Sequence, residues 1–158
     1  MTILAPPPLL ANAPWAQLAW ADLGLKEIGG GEHHPRIVQM HQVTTLKATT
    51  DEVAWCSSAM NLWVLEAGYE PTRSAAARSW ATWAHGVTLD DPMYGCIAVY
   101  TRGDPSGWSG HVGIWLGRRG PNDVLLGGNQ SDAVTIAPYD ASRILAYVWP
   151  DRGGAANV

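Results

Sequence analysis

The hydrophobic pattern changes period once, near residue 86, and the two halves predict different kinds of element. Before that point apolar positions recur at helical spacing. "NAPWAQLAWADLGLKEIGG" predicts a first helix, with Asn12 as cap, Pro14 in the first turn, a stripe of Trp15, Leu18, Ala19 and Leu23, and the Gly29–Gly31 run as its stop. "HPRIVQMHQVT" predicts a short second helix with Ile37, Met40 and His41 on one face, and "TTLKATTDEV" reads as a polar loop. In "DEVAWCSSAMNLWVLEAGY", Cys56, Ala59, Met60, Trp63, Val64 and Ala67 fall on one face of a third helix that Gly68 ends as a C′ glycine. "TRSAAARSWATWAHG" predicts a further helix closed by Gly86.

After Gly86 the runs shorten and become β-prone. "GCIAVYTRG", "GHVGIWLGR", "DVLLGGNQ", "AVTIAPY" and "RILAYVWP" are separated by Gly, Pro, Asn and Asp. Helices first and strands afterwards, with connections too short for helical crossovers, predict an α+β domain: N-terminal helices packed on a C-terminal antiparallel sheet. The expected organisation is an arm over residues 1–12, one domain over 13–150 and a frayed tail, "DRGGAANV", over 151–158.

Composition narrows the partners. With 158 residues, 47% hydrophobic and 15% charged, the chain has the make-up of one globular domain. Its net charge of −4 argues against a nucleic-acid surface, which needs a basic stripe. No run approaches the ~20 apolar residues of a membrane span. "MTILAPPPLLANAPW" lacks a basic n-region and carries consecutive prolines, a poor secretory signal. A chain with no visible export route is expected to hold Cys56 and Cys96 as free thiols. Nine Trp and five Tyr with no Phe suit half-wet grooves as well as cores; Trp55, Trp80, Trp83, Trp108 and Trp115 are the candidate groove walls.

Cys56 is the residue that could do chemistry. A thiolate is the nucleophile in cysteine catalysis, and a helix N-terminus and a neighbouring imidazole are two devices that lower the thiol from its usual value near 8.5. From its own segment, Cys56 reads as a buried structural residue or as such a nucleophile. Asp51 and Glu52, just ahead of it, are expected to cap free N–H groups or face solvent. Among the histidines, His33, His34 and His41 crowd into "EHHPRIVQMH", but with no established metal-ligand spacing, so no metal and no cofactor is expected. His85 lies beside the terminating Gly86. His111 opens an alternating strand between Gly110 and Gly113, where a rigidly held base can face a groove. A third group has to fix its tautomer. Asn129 in "LLGGNQSD" can do so or can be a turn residue, with Gln130 and Asp132 as substitutes.

Taken together, "PWAQLAWADLGLKE", "HPRIVQMHQVTT", "DEVAWCSSAMNLWVLEAGY", "RSAAARSWATWAHG", "GCIAVYTRG", "GHVGIWLG" and "LLGGNQSDAVTIAPY" resemble small phage and prophage proteins related to the NlpC/P60 and CHAP cysteine peptidases, which cleave peptidoglycan. The resemblance covers roughly residues 13 to 150. Its most specific pieces are the Asp-Glu-x-x-Trp-Cys lead, the Gly-His-Val-Gly strand and the Gly-Gly-Asn-Gln-Ser run. It implies a papain-like fold with the nucleophile at a helix N-terminus, Cys56 as nucleophile, His111 as base and Asn129 as orienting residue. Trp55, Gln130 and Trp108 are the candidate substrate contacts. His34 stands where an Asn is expected before Pro35, and Cys96 lies in a strand that usually carries a small residue there. The implied activity is that of an endolysin-type peptidase or amidase, monomeric and without cofactor. It would be made in the host bacterial cytoplasm and would reach the periplasm and cell wall after holin-type release. A secretion-system effector amidase, travelling with an immunity protein, is the alternative with the same chemistry. A catalytically silent wall-binding or virion module is the alternative without it.

Overall fold

The computed structural model describes Pro7 and residues 10–152. Most of the predicted arm and residues 153–158 of the tail lie outside the described residues, but Leu10, inside the expected arm, is fully buried in the core. The first helix, α1, spans Pro14–Ala21, α2 spans Pro35–Gln42 and α3 spans Cys56–Glu66. Six strands follow: β1 Gly86–Leu89, β2 Ile97–Thr101, β3 Gly110–Arg119, β4 Asn122–Gln130, β5 Ala133–Asp140 and β6 Ile144–Pro150. They form one antiparallel sheet in the order β1-β6-β2-β3-β4-β5. The expected α+β architecture, helices before an antiparallel sheet, is what the chain adopts. No helix among the described residues is long and apolar enough to cross a membrane.

Both faces of the sheet carry core. Val99, Val112, Ile114, Leu126 and Val134 pack against the helices with Trp15, Trp55, Trp63 and Trp80. Cys96, Ala98, Tyr100, Leu125 and Tyr147 form a smaller cluster on the opposite face. There the buried Asp123 carboxylate accepts the hydroxyls of Tyr100 (2.6 Å) and Tyr147 (2.7 Å) and pairs with Arg118 at 3.0 Å.

Several predicted elements are corrected. The first helix stops at Ala21, its cap position is Ala13 rather than Asn12, and its expected last turns leave to join the sheet. Gly24 N–H donates to Val134 O, Val134 N–H donates to Leu25 O, and Lys26 bridges Ala133. Pairing with β5 therefore overrides helical periodicity over residues 24–27. The alanine-rich segment is a 3-10 helix over Ala77–Thr82 rather than an α-helix. Its approach is captured by α3: Ser57 Oγ donates to Ser74 O, Asn61 Nδ2 donates to Ser74 O, and Arg73 N–H donates to Asn61 Oδ1 at a left-handed φ of 62°. Trp80 Nε1 then donates to Ser57 Oγ at 2.9 Å. Finally, α3 has no single buried face, because every residue from Cys56 to Val64 is buried. His34, the departure from the expected Asn, caps α2 through its ring, with Nδ1 accepting from Arg36 N–H at 3.1 Å.

Candidate functional site

Cys56 is the first residue of α3, and no side chain caps that helix. Asp51, expected near this end, is committed elsewhere: its buried carboxylate accepts the amides of Ile28 (2.8 Å) and His34 (2.9 Å) and contacts His33 at 3.2 Å. It therefore pins the 28–34 loop and leaves the α3 amides free. Burial raises the Cys56 thiol, and the amides of Val112, Ser57 and Cys56 itself act on the sulfur in the opposite direction. Val112 directly follows His111, so the thiol stands against the backbone that carries the imidazole.

The sheet opens at this place. β3 and β4 are paired from Arg119↔Asn122 up to Ile114↔Leu126, and beyond that pair both strands run on without each other. Alternation along β3 sends Val112 and Ile114 toward the helices and His111 to the other side.

Gln130, not Asn129, reaches the ring. His111 Nε2 lies 2.9 Å from Gln130 Oε1. The Gln130 amide is locked, because its Nε2 donates to Leu125 O (3.2 Å) and Thr135 O (2.8 Å), which leaves the oxygen facing His111. His111 Nε2 must then carry the proton and Nδ1 the lone pair; Nδ1 is buried with no hydrogen-bond partner. Asn129 is displaced from the predicted orienting role by a β-bulge. β4 advances three residues, from Gly127 to Gln130, while β5 advances two, from Thr135 to Ala133. That extra residue shifts the parity by one, and Asn129 takes the left-handed conformation, φ 56°. Gly127 is needed for the fold-back, since a Cβ there would stand 2.5 Å from Gln130 Oε1.

The candidate substrate contacts divide. Trp55 is fully buried, with Nε1 donating to Glu27 Oε1 at 2.7 Å and its ring beneath Gly128, so it holds α3 to the bulge and lines no groove. Gln130 is 3% exposed and its amide is spent on His111 and β-sheet carbonyls, so it holds the His111 ring and has no free group for a substrate. Trp108 is 84% exposed on the loop before β3. Trp80 and Trp83 are buried, and Trp115 is half-buried. The histidine-rich segment disperses: His33 contacts Asp51, His34 caps α2, and His41 Nδ1 meets Ser58 Oγ at 2.8 Å. Both cysteines are free thiols.

Two residues that sequence reasoning missed complete the site. Tyr139 stacks on His111 with ring centroids 4.3 Å apart and planes 2° from parallel. The charge of Arg102, just past β2, acts on the Tyr139 hydroxyl against the burial that raises it. Strand alternation marks Tyr139 as facing one side of β5, but only the sheet order says whose ring it meets.

The closed geometry decides the resting charges. His111 is 1% exposed and Cys56 6% exposed. Burial pushes the Cys56 thiol up, against the three amide donors and the Arg102 charge. Burial pulls His111 down to about 4. Desolvation therefore outweighs the helix N-terminus here and keeps both partners neutral. Cys96 is fully buried and pushed up to about 12, a small core residue.

This burial has a measurable consequence. His111 has a folded pKa below its ordinary value of 6.5, so the unfolded chain takes up the proton first as pH falls. The associated stability is complete above about 6.5 and is lost progressively toward about 4, in all about 3 kcal/mol. His41, also lowered by burial, acts in the same direction. The carboxylates Asp51 and Asp123 are held below their ordinary 3.8, so their losses begin only near about pH 5, while Glu27, raised by burial, opposes the histidines as pH falls. Urea midpoints measured from pH 7 to pH 4 should fall steadily, and His111→Asn should flatten that slope. Equal slopes in the two proteins would contradict a neutral buried ring.

The chain matches no protein-family model and no curated protein sequence.

Proposed function

We propose that the chain is a peptidoglycan hydrolase of the endolysin type, a cysteine peptidase or amidase that cleaves an amide or peptide bond of the cell-wall stem. The observation that carries this reading is the sulfur of Cys56 on the amide next to His111, whose free Nδ1 is dictated by Gln130. Nδ1 takes the thiol proton as sulfur attacks the carbonyl. Because both groups rest neutral, proton transfer accompanies attack instead of preceding it. The amides at the start of α3 are the nearest donors for the oxyanion. His111 then returns the proton to the leaving amine, and water hydrolyses the thioester. Gln130 takes the orienting role that the resemblance gives to Asn129. The delivery route that fits is synthesis in the host cytoplasm followed by holin-type release; an effector amidase with an immunity protein would use the same site.

One observation favours a second reading. A thiol and an imidazole this closed to solvent also suit a wall-binding module that keeps the fold without turnover. Purified muropeptides, incubated with the protein and read by mass spectrometry, separate the two. A hydrolase yields a new amine and carboxyl pair and so names the bond; a silent module binds the wall and leaves every muropeptide intact.

A further inference from the structure

Tyr139 reaches His111 from two strands away. In the sheet β5 neighbours β4 and not β3, yet the Tyr139 ring lies on the His111 ring with centroids 4.3 Å apart and planes 2° from parallel. A circuit of four residues brings this about. Tyr100 is the ladder partner of His111, and Tyr139 is the ladder partner of Asp123. Residues directly opposite each other in an antiparallel ladder share a face of the sheet. The Tyr100 hydroxyl donates to Asp123 at 2.6 Å and so ties the first pair to the second. That bond draws β5 toward β3 over β4, and Tyr100 and Tyr139 meet with centroids 5.9 Å apart and planes tilted by 36°. The stack is thus built by the sheet and does not hang from a loop.

The contact differs in kind from the core packing of the tryptophans. Trp15 meets Tyr69 and Trp149 edge-on, at 85° and 83°, and Trp80 meets Trp83 at 66°. A neighbour meeting His111 in its own plane would press on the rim of the imidazole, where both nitrogens lie. The parallel stack covers a face and leaves that rim to others. On the rim, Nε2 faces Gln130 Oε1 at 2.9 Å and Nδ1 has no hydrogen-bond partner. Gln130 therefore fixes the ring by its edge and Tyr139 fixes it by its face, and Nδ1 is left to take a proton. Once it does, the ring is a cation 1% exposed to solvent, lying on the negative face of an aromatic quadrupole. A neutral imidazole gains none of that attraction. The contact strengthens as the proton is transferred, which is when it can act on a rate.

We infer that Tyr139 is a positioning residue of this site, whose ring face holds the His111 imidazole and favours the imidazolium formed when Nδ1 takes the Cys56 proton. The inference rests on the thiol reading above and deepens it, since it names what steadies the charged base in a site closed to water. The agent is the π face and not the hydroxyl, so Tyr139→Phe keeps the effect. Leucine or methionine, which fill space without a π face, lose it. Simple cover by the ring would act in the opposite sense. Uncovering the imidazole admits water, which favours the charged form and speeds proton transfer. The direction of the change therefore separates the two roles.

The test is alkylation of Cys56 by iodoacetamide, in which the S–C bond forms, iodide leaves and the thiol proton passes to Nδ1. Rates are read by peptide mapping, with Cys96 followed in the same digest. Cys96 belongs to the cluster that Tyr139 packs against, so its continued protection shows that the sheet is intact. Tyr139→Leu and Tyr139→Met should slow alkylation of Cys56 about fivefold, the size of one desolvated cation–π contact. Tyr139→Phe should stay within about twofold of the native rate. A native or faster rate in whichever of Leu and Met keeps Cys96 protected overturns the inference. So does Tyr139→Phe slowing as much as they do, or a Cys56 that no protein alkylates. In parallel, muropeptide turnover by Tyr139→Leu should lose kcat by a similar factor with KM unchanged, because the imidazolium forms after binding. If muropeptides are cleaved at the native kcat and alkylation does not slow, the hydrolase reading stands and the role of Tyr139 falls. If no muropeptide is cleaved, the peptidoglycan reading falls and the alkylation rates alone decide Tyr139.

Discussion

Cys56→Ala is expected to leave a folded protein that no longer clears outer-membrane-stripped bacterial cells, a loss of at least about 10³-fold in rate. The substitution removes one atom from a site that already packs tightly, with Cys56 6% exposed at the start of α3. Its stability cost should be about 1 kcal/mol, so circular dichroism and thermal midpoint stay near those of the native chain. The matched control is Cys96→Ser. Cys96 is fully buried among Ala98, Tyr100 and Tyr147 on the far face of the sheet, and burial pushes its thiol up to about 12. A hydroxyl in that position costs about 1–3 kcal/mol of stability, and turnover should survive it. Turbidity loss that is the same for the native protein and for Cys56→Ala would end the proposed mechanism, whatever the fold does.

The positions of Cys56 and His111 were legible because each rests on a local signal. An apolar helical run beginning at residue 56 puts the thiol at a helix start, and a β-prone run beginning with Gly-His puts the ring at a strand start. Both signals depend only on residues within one element. The identity of the third member does not. Asn129 and Gln130 are adjacent, and which of them faces His111 is a question of strand parity, which one inserted residue reverses. The bulge between Gly127 and Gln130 inserts that residue, and only the register with β5 reveals it. The same reason hid Tyr139 and Arg102, whose roles follow from which strands are neighbours.

Helical content was over-read for a related cause. Alanine-rich "TRSAAARSW" has high helix propensity, yet the hydroxyl of Ser57 and the amide of Asn61 bind its backbone and draw it into a turn and a 3-10 helix. Propensity amounts to a few tenths of a kcal/mol per residue, and buried hydrogen bonds to α3 exceed it. Likewise "LGLKE" follows the helical stripe of α1 in sequence but meets the start of β5 in space. The burial of the site was not legible either, because a helix N-terminus is visible in sequence, whereas the Tyr139 ring stacked on His111 is not.

Gly128→Val should produce the largest loss of stability of any single change considered, about 4 kcal/mol. A Cβ at Gly128 would lie 2.7 Å and 2.8 Å from two ring carbons of Trp55 and 2.9 Å from the Cβ of Ala59. None of these neighbours can yield cheaply. Trp55 is fully buried and tethered through Nε1 to Glu27, and Ala59 belongs to the first turns of α3. The strain therefore has to move the helix start away from the sheet. That motion would carry the Cys56 sulfur away from the Val112 amide that acts on it. Gly128→Ala, with one carbon in place of three, should cost less and still displace the thiol. Thermal melts rank the two variants, and the rate of Cys56 alkylation reports the displacement independently of folding. A Gly128→Val protein with native melting temperature and native alkylation rate would mean that α3 does not seat on the bulge of β4, and the geometry that sets sulfur beside imidazole would go with it.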